Sequence, residues 1–299
     1  MTLQQLKYVV TVAECGNITE AAKQLFVSQP TVTSAIHDLE KEMQIVIFVR
    51  TNKGVILSED GERFLGHARQ VLEQVDLIEG IYKDGVVSKP HFAVSCQHYS
   101  FAVNAFVDVI RRFDAYQYDF TIREEQTHEI IEDVTNLKSE LGVIYLSSKN
   151  TEVLSKMLKR NELEFTELFT ATPHVFICDS HPLAKKKRIT MEDLQDYPYL
   201  TYEQGEYNSQ YFSEEFVSTL DSRKNIRVRD RATLFNLIIG LNGYTVCSGV
   251  ISAELNGRNI ISKPLDVEEY MQIGIITRKG VVLSRYAREY IEALKAHCM

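Results

Sequence analysis

The 299-residue sequence has no apolar run approaching the ~20 residues that a membrane-crossing helix needs. Its most apolar early stretch, Leu6 to Ala13, is broken by Lys7 and Thr11 and stops at Glu14. It is therefore neither a span nor the core of a secretory signal, and a cytoplasmic location with no membrane partner is expected. Cysteine is sparse. Cys15, Cys96, Cys178, Cys247 and Cys298 are odd in number and widely spaced, with no C-x-x-C pair. That argues against a disulfide framework and against a structural zinc site, and it suits a reducing cytosol. No H-E-x-x-H, G-x-S-x-G or phosphate-loop motif occurs, so no catalytic constellation is visible and no metal or cofactor is expected. His128-Glu129 reads as a solvated helix start, and Lys185 to Arg188 as a surface loop.

The chain also lacks an excess of positive charge. Its net charge is -8, with 44% hydrophobic and 25% charged residues, the composition of a folded globular protein. In residues 1–57, however, Lys7, Lys23, Lys41, Arg50 and Lys53 balance Glu14, Glu20, Asp38, Glu40 and Glu42. The surplus acid lies downstream, so a local DNA-binding face remains compatible with an acidic chain, while indiscriminate electrostatic binding should be weak.

The first ninety residues read as helices. Leu3, Leu6, Val9, Val10 and Ala13 recur at helical spacing and Gly16 supplies a stop. Asn17 with Glu20 can cap a second helix whose face is Ile18, Ala21, Ala22 and Leu25. Ser28 can cap a third, with Pro30 in its first turn and Val32, Ile36, Leu39 and Met43 turned inward. The opposite side carries Gln29, Thr31, Thr33, Ser34 and His37, short donors and acceptors suited to base edges in a major groove. This polarity is that of a helix-turn-helix. An ordinary helical hairpin with a solvated face has the same periodicity.

Ile45 to Val49 and Val55 to Leu57 read as two strands of a wing, with Arg50 and Lys53 near its tip, placed for phosphates. Ser58, Glu59 and Asp60 start a long helix in which Ala68, Val71, Val75, Ile78 and Tyr82 form a heptad-like seam, the kind that pairs two copies.

In Leu3-Gln-Gln-Leu6, Asn17 to Leu25, Val27-Ser-Gln-Pro-Thr-Val-Thr33, Ile36 to Glu40, Phe48 to Thr51 and Leu57-Ser-Glu-Asp-Gly61, the sequence resembles the LysR-type bacterial transcriptional regulators. Leu141 to Ile144, His181 to Ala184 and Gly240 to Tyr244 extend the resemblance downstream. It implies an α/β multidomain protein: a winged helix-turn-helix at 1–58, a linker and dimerisation helix at 59–88, and a two-lobed Rossmann-like effector domain of periplasmic-binding type at 89–299. One lobe would take about 89–162 and 268–299, the other about 163–267. The implied partners are double-stranded DNA with an inverted-repeat operator, a small-molecule effector and further copies of the chain, as a homodimer or homotetramer. Ser28, Gln29, Pro30, Thr31, Thr33, Ser34, His37, Arg50 and Lys53 are the expected DNA-binding residues. Ser34 and His37 depart from the family, which commonly carries Arg or Gln and a basic residue there.

From residue 89 onward, strands and helices alternate, which predicts a parallel sheet covered by helices. The second set of elements is expected to start with Glu164 to Phe169 and to include a helix near Ser209 to Leu220. Ligands in such folds collect at strand carboxyl ends and helix N-termini. That selects Gln97, His98 and Ser100 after the first strand, Ser147 after a later one, and Thr201, Tyr202 and Glu203 in the second lobe. Hydroxyls and amides suit a carboxylate, and Glu203 would suit an amine, so an amino acid or carboxylate metabolite is expected. Simple capping would account for each residue singly. A redox role for Cys96 or Cys247 is the less favoured reading, packing being the usual role of buried thiols. A solute receptor would share the two lobes but requires export, and an α/β enzyme would require turnover of the bound metabolite.

Overall fold

The structure is a computed structural model describing residues 1–52, 54–82, 90–113, 117–207, 209, 211–215, 223–252 and 256–298. The chain divides into two compact bodies, one built on Met1–His91 and a second that takes most of the chain from Phe92 onward.

In the first body, α1 (Leu3–Cys15) starts at a Thr2–Gln5 capping box and ends where Gly16 takes a left-handed φ of 61°. Asn17 caps α2 (Ile18–Gln24) by accepting the amides of Thr19 and Glu20. Ser28 caps α3 (Gln29–Met43) by accepting the Thr31 amide. Tyr8, Val9, Val12, Ala21, Ala22, Val32, Ile36 and Leu39 form one core, closed by Ile47 and by Leu65 of α4 (Glu59–Tyr82). The wing is β1 (Phe48–Thr51) paired antiparallel with β2 (Gly54–Leu57). Val55 donates its amide to the Gly16 carbonyl at 3.0 Å, and a Cβ on Gly54 would stand 2.3 Å from that oxygen, so only glycine fits the contact. The first strand begins at Phe48 rather than Ile45, because Glu40 takes the amides of Ile47 and Phe48. Arg50 consequently lies within β1 opposite Val55, not in the turn. Lys53 and the end of the linker at 83–89 lie outside the described residues, as does the side chain of Tyr82.

The second body holds a five-stranded sheet in the order β4 (Asp119–Glu124), β3 (His91–Cys96), β5 (Leu141–Leu146), β12 (Met271–Arg278), β6 (Leu163–Ala171). β3 and β5 run parallel, but β12 is antiparallel to both neighbours, so the sheet is mixed, not parallel as the alternation predicts. β6, expected to open the second lobe, belongs to this first-lobe sheet: its pairing with β12 runs from Leu163 to Ala171. The lobe boundary thus falls after Ala171. α5 (Ser100–Phe113) and α10 (Arg285–His297) cover one face through Phe101, Phe106, Tyr286 and Tyr290. α6 (Thr127–Thr135) and α7 (Thr151–Arg160) cover the other through Ile130, Val134, Leu154 and Leu158.

In the second lobe β7 (His174–Cys178) lies between β10 (Thr245–Cys247) and β11 (Ile260–Pro264), antiparallel to each. α8 (Met191–Leu194) precedes β8 (Tyr199–Tyr202), which pairs in parallel with β9 (Asn225–Val228), and α9 (Arg231–Leu241) covers these strands with Leu234 and Ile238. The helix expected near Ser209 to Leu220 is not seen where the chain is described: Ser209 and Tyr211 to Glu215 are turns and bends, and 208, 210 and 216–222 lie outside the described residues.

Candidate DNA interface and effector cleft

The apolar stripe of α3 fixes which side faces outward. With Val32, Ile36 and Leu39 buried, Ser28, Gln29, Pro30, Thr31, Ser34 and His37 are exposed and Thr33 is half-buried. Gln29 donates to the Thr33 hydroxyl at 2.8 Å, one helical turn on, which pre-positions its amide oxygen outward. Ser28 and Thr31 share a 2.7 Å hydroxyl contact at the cap. Arg50 is exposed on the wing. The face therefore presents amide, hydroxyl and imidazole groups with few fixed cations.

In the second body, one cavity opens between the lobes. His98, Tyr99 and Ser100 line it from the start of α5, Tyr202 from β8, Arg231 and Phe235 from α9, and Thr245 to Ser248 from β10. Glu214 and Glu215 complete it. Three of these groups are buried without a hydrogen-bond partner: Ser100 Oγ, Thr245 Oγ1 and Arg231 Nη1. The other arm of the Arg231 guanidinium meets Glu124 at 3.0 Å. Buried donors of this kind cost free energy unless satisfied. The open space among these side chains is about 40 Å³, room for a few waters.

His98 stacks flat on Tyr202, rings 3.8 Å apart and 6° from parallel. Its Nδ1 lies 2.8 Å from the Glu214 carboxylate and its Nε2 3.1 Å from the Arg229 carbonyl. Burial pulls the imidazole pKa down, but Glu214, by charge and by hydrogen bond, more than offsets this and leaves it above the ordinary value. Burial, with repulsion from Glu214, pushes Glu215 up to about 8.

Of the expected effector residues, His98, Ser100 and Tyr202 line the cavity, while Gln97, Ser147, Thr201 and Glu203 stand outside it. Gln97 is buried behind it, donating to Thr127 and accepting from Tyr99 and the Tyr145 amide. Ser147 is used by Asn150, and Glu203 is ion-paired with Arg229, so its charge is not offered to a ligand. The acidic groups in the cleft are instead Glu214 and Glu215, which sequence reasoning missed. It missed Arg231 and Thr245 too, although an arginine directly after Asp230, the N-cap of α9, stands at a helix N-terminus, where ligands in such folds collect. Burial raises the thiol pKa of both Cys96 and Cys247, opposite to what a reactive thiolate needs.

The family model for the bacterial regulatory helix-turn-helix protein of the lysR family matches residues 3–62, and the LysR substrate binding domain matches residues 96–299. This chain belongs to the LysR family. As a LysR-type protein it is a DNA-binding transcriptional regulator with a substrate-binding domain, and the curated relatives it matches are regulators rather than enzymes. The HTH-type transcriptional regulator YbhD of Escherichia coli is 26% identical over 302 residues, covering 98% of this chain and 90% of that protein. A full-length, singly substituted OxyR from Pseudomonas aeruginosa shares the fold with a TM-score of 0.64 at 22% identity, covering 99% of this chain and 98% of that one. The LysR family regulator CbnR aligns over 100% of both chains with a TM-score of 0.55 at 18% identity. Among the described residues, no helix is long and apolar enough to cross a membrane.

Proposed function

We propose that this LysR-type regulator acts in the cytoplasm as a homodimer or homotetramer on an inverted-repeat operator. In this reading Ser28, Gln29, Pro30, Thr31, Thr33, Ser34 and His37 meet bases or groove edges, and Arg50 and Lys53 meet phosphates. Its activity is set by a small polar metabolite with an anionic group, an amino acid or other carboxylate, bound between the lobes. The observation that carries the effector class is the trio Ser100 Oγ, Thr245 Oγ1 and Arg231 Nη1: unpartnered donors from both lobes lining one cavity. Two hydroxyls and a guanidinium match a carboxylate. Effector binding shifts the regulator only if one lobe arrangement binds it better.

The test is a thermal-shift panel of amino acids and of mono- and dicarboxylates on the full-length protein, followed by calorimetric titration of any hit. Ser100→Ala and Thr245→Val should each weaken a hit roughly tenfold, as loss of a hydrogen bond to a charged group does. A hit that binds both variants as it binds the wild type would remove the cavity as its site.

A further inference from the structure

Past β8, the described residues 204 and 212–214 meet the first lobe. Thr127 donates its amide to Gln204 Oε1 at 3.2 Å and its hydroxyl to the Phe212 carbonyl at 2.8 Å, and Tyr145 donates to the Ser213 carbonyl at 3.0 Å. Phe212 packs against the cluster of Ile130, Ile144, Leu154 and Ile276. This strap delivers Glu214 to His98, whose backbone amide donates to Oε2 at 2.9 Å, while Gln204 Nε2 donates to Oε1 at 3.2 Å. The His98 and Glu214 side chains are only 4% and 5% exposed.

The partners of the imidazole count its protons. Arg229, just past β9 in the second lobe, offers Nε2 a carbonyl that can only accept, so Nε2 carries hydrogen. Nδ1 faces a carboxylate, and two bare acceptors cannot sit 2.8 Å apart there without a proton between them. With an acceptor at each ring nitrogen, the clasped imidazole carries a proton that a separated His98 does not hold in mildly alkaline water.

We propose that His98 and Glu214 are a proton-held clasp that keeps the lobes closed over the cleft, and that release of this proton frees the strap and admits the effector. The regulatory importance of the clasp rests on the cleft being the effector site, whereas the clasp itself is testable without any effector. Room for only a few waters among these side chains gives a gate its purpose, since freeing the strap would widen the cleft for a larger ligand. Other charges face the imidazole. Glu215 comes from the strap, Glu124 from the end of β4 and held by Arg231, and Asp230 from the start of α9. Tyr202 presents its ring face, and the Arg229 side chain is turned to Glu203. Because the His98 pKa is raised in the closed form, the clasp is complete below about 6.5, the value of a free imidazole, and weakens as pH rises through the raised value.

Hydrogen exchange of the full-length protein from pH 6 to 9, corrected for intrinsic rates and followed by mass spectrometry, reads the clasp at the His98 amide and along 203–215. In a Glu215→Gln background, which removes that group's own titration, protection there should fall by up to about tenfold per pH unit above pH ~6.5, one proton's worth. Adding Glu214→Gln should abolish that slope. Peptides from β12 should stay protected throughout, showing that the fold is intact. A flat profile in Glu215→Gln, or a slope surviving in the double variant, would each overturn the clasp; an absence of effector hits would not touch it.

Discussion

Phe26 has a φ of 55° and 95% of its surface exposed, in the turn between α2 and α3. A left-handed backbone costs an L-residue about 1–2 kcal/mol, and an exposed ring recovers none of it by burial. Phe26→Asn, a residue that tolerates this conformation, should raise the urea midpoint of the first body; a lower midpoint would mean that the ring packs in solution. Glu125 carries a different strain. Burial, with repulsion from Asp133, lifts its carboxyl to about 7. The folded state therefore binds this proton more tightly than the unfolded chain does, and the stability it contributes below about pH 4.5 is lost as pH rises toward 7. Glu125→Gln should raise the melting temperature more at pH 8 than at pH 5; an equal shift at both would assign the effect to packing alone. At this scale the sequence was legible only where a residue's neighbours are its own sequence neighbours. Ser28, Gln29 and Thr33 sit where the helical spacing puts them, whereas Glu214 reaches His98 across 116 residues, a pairing that no local pattern carries.

An element is legible in the sequence wherever cap and stripe agree. The sequence places α1 to α3 within two residues of their ends, because Thr2, Asn17 and Ser28 all satisfy helix-start amides and Gly16 closes α1. α7 leaves no clear start signal in the sequence, since Asn150 before it makes no side-chain cap. β6 is legible as a strand but its lobe is not, since alternation records that a strand exists and not which strand it pairs with. Glu40 shows how one side chain joins two elements. From α3 it accepts the amides of Ile47 and Phe48, at 2.7 and 3.1 Å, where the chain enters the wing. Glu40→Ala strands both amides beside buried Ile47, at a cost of about 1–3 kcal/mol by chemical denaturation. Glu40→Gln keeps an acceptor and should recover part of that loss; if the two variants were equally unstable, the carboxylate charge rather than the hydrogen bonding would be what holds the wing.

For the whole molecule, the proposed operator recognition has to work on a chain of net charge -8. The linker helix leaves Val71 41% and Ile78 58% exposed along one seam, which suits pairing of two copies, and pairing doubles every contact with DNA. Each phosphate neutralised on a duplex contributes about -0.9 to the slope of log affinity against log salt. With Arg50 and Lys53 as the wing cations of each protomer, a dimer should give a shallow slope of roughly -4. The two kinds of contact then separate. Arg50→Ala should flatten the slope by about 1 per protomer and weaken operator and random duplex alike. Gln29→Ala should leave the slope unchanged and cost ~1–3 kcal/mol on the operator alone, because a base contact has no counterpart on random sequence. Titrations of both variants across a salt series, on operator fragments enriched from genomic duplex at near-physiological salt, measure both quantities at once. Were Gln29→Ala to weaken random DNA equally, α3 would be meeting the backbone, and the reading of sequence would have to lie with other residues of the domain.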